Sequence, residues 1–217
     1  MVKLNKSQLP NSVSTRREKY YLYDPVYSLL KDDCYNKCYI CEEKDKPDKQ
    51  VDHLIAPNGD ISLENDWNNL LLSCPHCNRT KSDKFNGIIN CCKCDPEEYI
   101  AISIEPYSKK HVAIKKLKDT REVMETIALL ELVYNGEKTA TLNAECIDLR
   151  RNVFKEVFNF QQAVMDYEKE KDPNTKKGFV NAIRRMVARS SPFAAFKRGM
   201  IRENTLYMQK FGAFLEN

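Results

Sequence analysis

Two Cys-x-x-Cys motifs constrain this 217-residue chain more than any other feature, one at Cys38 and Cys41 and one at Cys74 and Cys77. Each motif places two thiolates on one tight turn, and two such turns supply the four sulfur ligands of a tetrahedral structural zinc. We therefore expect the four cysteines to hold one zinc ion that ties together the ends of the intervening segment. One pair could be incidental, but the equal spacing of the two pairs argues against that.

The segment between the cysteine pairs carries residues that suit phosphodiester hydrolysis. This reaction needs an activated water and a cation that neutralises charge on the phosphate. His53 suits the role of general base, because a reference pKa of about 6.5 leaves it mostly neutral at pH 7. Asp52 and Asn78 offer the oxygen ligands that Mg²⁺ or Mn²⁺ prefers. Separately these residues are ordinary surface, loop or cap residues; together, between paired cysteines, they favour catalysis.

The combined pattern, over roughly residues 34 to 86, resembles the HNH endonucleases, whose catalytic core is a ββα-metal finger. The resemblance implies that Asp52 and Asn78 bind the catalytic cation and that His53 is the base. It also implies that Asn69 braces the loop that orients the base. Neighbouring residues of a strand point to opposite faces, so strand geometry does not place Asp52 and His53 in one site. Their convergence is implied by the resemblance alone.

The same resemblance implies the substrate and the cofactors. Lys81 occupies the family's basic position, and we expect Lys81 and Arg79 to contact the phosphates of DNA. The implied cofactors are a structural Zn²⁺ and a catalytic Mg²⁺ or Mn²⁺. An alternative function is a non-catalytic zinc module that binds nucleic acid or protein, but such a module would need the cysteines without Asp52, His53 and Asn78.

Periodicity along the chain predicts an α+β fold, with an N-terminal zinc-stapled ββα-metal finger followed by a mainly α-helical C-terminal region. In the finger, residues 50–55 and 69–73 read as strands and residues 76–85 as a helix. Further along, two strands are expected at residues 99–104 and 112–117, joined across Pro106-Tyr107-Ser108. Four helices should follow, over approximately residues 120–134, 140–170, 175–189 and 192–204, with Ser191 capping the last one.

We divide the chain into three parts. Residues 1–30 form an N-terminal arm and a lead-in helix, residues 31–97 the nuclease domain with its zinc, and residues 98–217 the short strands and the helical region. The arm is polar and carries a basic trio, Arg16, Arg17 and Lys19, so we expect residues 1–19 to extend from the finger with little fixed order. Trp67 is expected to seal the small core of the finger.

The net charge of +4 is too small to identify a nucleic-acid-binding protein, so its distribution matters more. Between residues 176 and 210 a single acid, Glu203, accompanies nine cations: Lys176, Lys177, Arg184, Arg185, Arg189, Lys197, Arg198, Arg202 and Lys210. This basic stretch is interpreted as a solvated helix face, a surface that follows DNA, or a docking surface for a partner protein.

A narrower resemblance concerns the partner. The finger, the Thr126-Ile127-x-Leu129-Leu130 helix and the basic tail are similar to the nuclease subunits of Septu-type or retron-linked anti-phage systems. This resemblance implies an ATPase partner docked on the C-terminal helices, through the arginines and the aromatic residues between them.

The sequence shows no membrane-spanning segment. No apolar run approaches the roughly 20 residues of a membrane span, and residues 1–6 lack the apolar block of a signal peptide, so we expect a cytoplasmic protein.

The sequence leaves the role of one cysteine cluster open. Cys91, Cys92 and Cys94 form a second cluster after the finger. With Cys34 or Cys146 they could bind another metal; otherwise they are partly buried thiols.

Overall fold

The computed structural model describes residues 1–13, 15, 19–44, 46–104 and 111–216. Within these ranges the chain forms two antiparallel sheets of two strands each and eight α-helices. The strands are β1 (Gln50–His53), β2 (Leu70–Ser73), β3 (Ile100–Ile104) and β4 (Val112–Lys116). The helices are α1 (Val26–Asp33), α2 (Ile61–Glu64), α3 (Pro75–Lys81), α4 (Arg121–Asn135), α5 (Ala140–Lys169), α6 (Pro173–Val187), α7 (Ala194–Glu203) and α8 (Thr205–Phe211).

The ββα finger predicted from the sequence is confirmed: β1 pairs with β2, and α3 follows at once. The register places His53 opposite Leu70 and Asp52 opposite Leu71. Every residue of β2 is buried, which fixes this strand in the core of the finger. Cys74 caps α3 and Pro75 is its first residue, a position where the missing N–H of proline costs nothing. The helix ends at Lys81, and the residue that follows it, Ser82, has φ +45°.

The N-terminal residues pack against the finger and do not extend from it as expected. Met1, Val2 and Leu4 are buried. The Trp67 indole Nε1 donates to the carbonyl of Ser7 at 2.8 Å, and the Ser7 hydroxyl donates to Asp33 at 2.6 Å. The apolar residues among the first four were the signal for this packing. Arg16 and Arg17, like the predicted turn at 106–108, lie outside the described residues.

The C-terminal region is mainly helical, as predicted, and its longest helix links two hydrophobic clusters. The N-terminal half of α5 buries Leu149 and Val153 in the cluster that also contains the finger. Its C-terminal half buries Phe160 and Val164 in a second cluster with α6, α7 and α8. The larger cluster includes residues from all three predicted parts of the chain, so the finger shares its core with the helices.

Two features of this region differ from the sequence prediction. Ser191 does not cap α7, which begins at Ala194 after Phe193 adopts a left-handed backbone with φ +49°. The chain also forms an additional helix, α8, which the sequence reading missed. Asn204 caps α8 by accepting hydrogen bonds from the backbone N–H groups of Leu206 and Tyr207.

The basic C-terminal stretch does not form the surface that its sequence suggests. Lys197 and Arg198 are fully buried. Arg198 Nε lies 2.8 Å from a carboxylate oxygen of Glu97, and Lys197 Nζ lies 2.9 Å from Glu156. The acids that neutralise these cations come from distant parts of the chain. Counting charges within residues 176–210 alone therefore overestimated the positive charge on the surface. Lys177, Arg184 and Arg185 remain exposed on α6.

None of the described helices combines the length and the apolar character needed to cross a bilayer.

Candidate metal centre and active site

The four cysteines of the two motifs converge. The sulfur atoms of Cys38, Cys41, Cys74 and Cys77 all lie within 4.8 Å of one another, and all four residues are buried. Zinc–sulfur bonds of about 2.3 Å in a tetrahedron place neighbouring sulfurs about 3.8 Å apart. The Sγ atoms of Cys41 and Cys74 are 3.8 Å apart. The donor set and its spacing therefore fit a structural zinc.

The zinc-binding turns are anchored to the helical region by the helix that follows them. His76, between the two cysteines of the second motif, is 2% exposed. Its Nε2 lies 2.8 Å from the Val133 carbonyl on α4, and its Nδ1 lies 3.1 Å from Glu145 on α5. Burial lowers the pKa of His76, but hydrogen bonds with Cys146 and with these two groups outweigh burial and raise the pKa to about 9. Its role in joining α3 to α4 and α5 was not apparent from sequence.

His53 is held in a defined orientation at the end of β1. Its ring packs edge-on against Tyr21, with 5.6 Å between the ring centroids, and its Nε2 lies 3.1 Å from the carbonyl oxygen of Glu64. A carbonyl oxygen can only accept a hydrogen bond, so Nε2 carries the proton in this contact. The neutral imidazole then has its lone pair on Nδ1, where it can accept a proton.

Asn69 holds the loop that presents the Glu64 carbonyl. Its side-chain oxygen accepts from the backbone N–H of Ile55 at 2.8 Å. Its amide nitrogen donates to the carbonyls of Ile55, at 2.9 Å, and Leu63, at 3.0 Å. Because Asn69 is 4% exposed, these three bonds fix the loop without competition from water. The residue next to Leu63 is Glu64, so Asn69 controls the group that orients His53.

Asp52 points the other way, toward α3. It is 6% exposed; its Oδ2 accepts from the Tyr39 hydroxyl at 2.9 Å and its Oδ1 lies 3.5 Å from Lys81 Nζ. Burial raises the pKa of Asp52, although Lys81 and Tyr39 favour its charged form. Both oxygens keep further lone pairs, so the carboxylate still offers oxygen donors to a cation.

Lys81 lies inside the finger, whereas the sequence reading expected it to contact substrate phosphates. It is 1% exposed, and its Nζ donates to the His53 carbonyl at 2.6 Å. The side chain crosses from α3 to the end of β1 and there meets both Asp52 and the backbone of His53. These contacts hold Lys81 within the finger, and its contact with substrate phosphates stays a prediction.

Asn78 lies one helical turn before Lys81 on the same side of α3. It is half-buried, and its Nδ2 donates to Gln50 Oε1 at 2.8 Å. It lines an open groove of about 460 Å³ together with Leu22, Tyr27, Lys49, Gln50 and Val51. Within the described residues, no hydrogen bond joins any two of Asp52, His53 and Asn78.

Arg79 points away from this groove, toward α5. Its side chain is 58% exposed, and one guanidinium nitrogen lies 2.5 and 2.6 Å from the two carboxylate oxygens of Glu145. Glu145 also contacts His76, so one carboxylate connects two residues of α3 to the start of α5.

The second cysteine cluster does not form a metal site in the described part of the chain. The metal-binding side chains His, Cys, Asp and Glu come together in a group of three or more at one place among the described residues, and that group is Cys38, Cys41, Cys74 and Cys77. Cys91 is buried, and Cys92 and Cys94 are half-buried. The structure thus favours the interpretation of these residues as partly buried thiols.

Comparison with known proteins supports the assignment of the finger. Residues 38–84 match the family model of the HNH endonucleases. The matched segment starts at the first cysteine ligand and includes β1, β2 and α3, with Asp52, His53, Asn69 and Asn78 inside it. Searches of curated proteins and of solved structures gave no match to the chain. The family match supports a nuclease-type function for the zinc-stapled finger.

Proposed function

We propose that this HNH endonuclease segment hydrolyses phosphodiester bonds of DNA with one divalent cation. The observation that carries the proposal is the contact of His53 Nε2 with the Glu64 carbonyl, in a loop that Asn69 braces with three hydrogen bonds. In the neutral ring this contact leaves Nδ1 as the nitrogen that can accept a proton. An imidazole oriented in this way is suited to take a proton from an attacking water through Nδ1.

Asp52 and Asn78 are the proposed ligands of the catalytic cation. Asp52 lies on β1 and points toward α3, and Asn78 lies on α3 and contacts Gln50 of β1. Both side chains offer oxygen ligands, which suit Mg²⁺ or Mn²⁺. When bound, the cation supplies positive charge that stabilises the phosphate and the leaving 3′ oxygen. Lys81 supports this arrangement indirectly, since it holds Asp52 and the His53 backbone against the finger helix.

Replacing Asn78 with alanine should raise the Mg²⁺ concentration needed for half-maximal cleavage, because one oxygen ligand is lost while the zinc turns remain. Supercoiled plasmid is titrated with Mg²⁺ and the nicked and linear products are quantified. Asn68→Ala is the matched control, because Asn68 is an exposed asparagine of the same finger. An Asn78→Ala protein with the wild-type Mg²⁺ dependence would show that the cation binds elsewhere.

One observation favours the alternative of a non-catalytic zinc module. Asp52 is nearly inaccessible, and both of its oxygens already have partners in Tyr39 and Lys81. In a module that only binds DNA or protein, this carboxylate would serve the stability of the finger alone. The plasmid assay separates the two functions, because the module would shift the mobility of DNA without cutting it in Mg²⁺ or Mn²⁺.

We further propose the narrower role of a cytoplasmic nuclease effector in anti-phage defence, acting with an ATPase partner. Its support is the sequence resemblance described above, together with the exposed cations Lys177, Arg184 and Arg185 of α6. Changing these three residues to glutamate should abolish co-purification with the ATPase and leave the salt dependence of DNA binding unchanged. A smaller salt slope with retained co-purification would instead assign α6 to DNA.

A further inference from the structure

A cavity of about 520 Å³ lies beside the finger, on the opposite side of α3 from β1. It is bounded by the outer face of α3 and the segment after it, by the end of α4, and by the first turns of α5. Its lining residues are Arg79, Thr80, Lys84, Phe85, Leu132, Lys138, Thr139, Thr141, Leu142 and Glu145. This volume lies in the range of about 300–1,000 Å³ that is usual for small-molecule sites.

The charge of the cavity favours an anion. Three cations, Arg79, Lys84 and Lys138, line it, against one acid, Glu145. Glu145 is already neutralised, because it contacts both Arg79 and His76. Among the described residues, neither Lys84 nor Lys138 has an ion-pair partner within 4.0 Å, and both are exposed. Two lysines at the rim of a concave site are therefore available to a phosphate.

Part of the cavity lining is apolar and aromatic, supplied by Phe85, Leu132 and Leu142. Three threonines, Thr80, Thr139 and Thr141, also line the cavity. The Thr80 hydroxyl donates to the His76 carbonyl, and the Thr139 hydroxyl accepts from the Leu142 N–H. A ligand that matches this lining has a planar ring, hydroxyl groups and an anionic group. We propose that the cavity binds a nucleoside monophosphate, with its base on Phe85 and its phosphate at Lys84 and Lys138.

Occupancy of the cavity is coupled to the finger through Arg79. Arg79 lines the same cavity as Lys84 and Lys138, so a phosphate bound at the two lysines attracts the Arg79 guanidinium away from Glu145, which also holds His76 on α3. His76 lies between two zinc ligands and two residues before Asn78. The ligand therefore acts as a regulator of cleavage. This regulatory part rests on the proposed nuclease function, whereas the binding part does not.

Binding is tested by calorimetry on the full-length zinc-loaded protein with AMP and GMP, and with adenosine, inorganic phosphate and decanoate as comparison ligands. We expect saturable one-to-one binding of a nucleotide, and weaker binding of each comparison ligand. The double variant Lys84→Glu/Lys138→Glu should bind the nucleotide about tenfold more weakly or worse. Lys171→Glu, at an exposed lysine between α5 and α6, is the matched control and should bind as the wild type does.

Three results would overturn the binding proposal. The first is no nucleotide binding by the folded wild type, and the second is decanoate binding as strong as that of AMP. The third is a double variant with weaker DNA binding and unchanged nucleotide binding, which would place the lysines on the DNA path. Regulation is read separately: saturating nucleotide should change the cleavage rate of the wild type and not of the double variant. An unchanged wild-type rate, with binding intact, would overturn the regulatory part alone.

Discussion

Replacing His53 with alanine should lower plasmid cleavage in Mg²⁺ or Mn²⁺ by about 10²–10⁴-fold, the usual contribution of a general base. The variant lacks the imidazole that the Glu64 carbonyl orients, while Asp52 and Asn78 still offer their oxygens. Zinc content should remain at the wild-type level, because no sulfur ligand changes. Cleavage is measured from the loss of supercoiled plasmid, and zinc by elemental analysis of the same preparation.

His111→Ala is the matched control for this experiment. His111 is exposed, directly precedes β4 and lies outside the finger in the sequence, and its loss should leave the cleavage rate unchanged. His53→Asn is a second useful variant, since asparagine retains a side-chain N–H and fills part of the space beside Tyr21. Wild-type cleavage by either His53 variant would disprove the assignment of the base.

Replacing Cys77 with serine should release the zinc and unfold the finger. Zinc binding contributes about 10–16 kcal/mol in isolated zinc fingers, so the loss of one thiolate from a four-sulfur site removes a large part of the folding free energy. Cys77 is fully buried on α3, where serine would also leave a hydroxyl in an apolar environment. Zinc content and thermal unfolding followed by circular dichroism measure the effect.

Cys94→Ser is the control, because Cys94 is half-buried and lies outside the four-sulfur cluster. It should keep both the zinc and the melting temperature of the wild type. The unfolding caused by Cys77→Ser should also include the helical region, because His76 of α3 forms hydrogen bonds with α4 and α5. A Cys77→Ser protein that is fully folded and zinc-loaded would show that the ligand set is incorrect.

Sequence reasoning found the finger because its signals are local. The two Cys-x-x-Cys pairs and the motif residues between and after them are each recognised from a few neighbouring residues. The strands and the helices α4 to α6 followed from periodicity, and their observed ends lie within about two residues of the predicted ones. The early end of α3 was missed, because the positive φ of Ser82 occurs at a serine and not at a glycine, which would have indicated it.

The parts that sequence reasoning missed depend on contacts between distant residues. Nothing near Lys81 in the sequence shows that its side chain points inward to Asp52 and to the His53 carbonyl. Lys81 and His53 are 28 residues apart in the sequence. Arg198 finds its acid, Glu97, at a separation of 101 residues. For the same reason, the orientation of His53 by the Glu64 carbonyl could be expected only in outline, from the position of Asn69 within the motif.

The buried ion pairs of α7 also determine how the protein responds to ionic strength. Salt screens charges in contact with solvent, whereas a pair such as Arg198–Glu97, fully removed from water on the arginine side, is screened far less. Binding to DNA through exposed cations weakens steeply as salt increases. High salt should therefore release any nucleic acid that is bound at the surface, while the C-terminal helices stay packed on the rest of the protein. This difference provides a simple way to purify the folded protein free of bound nucleic acid.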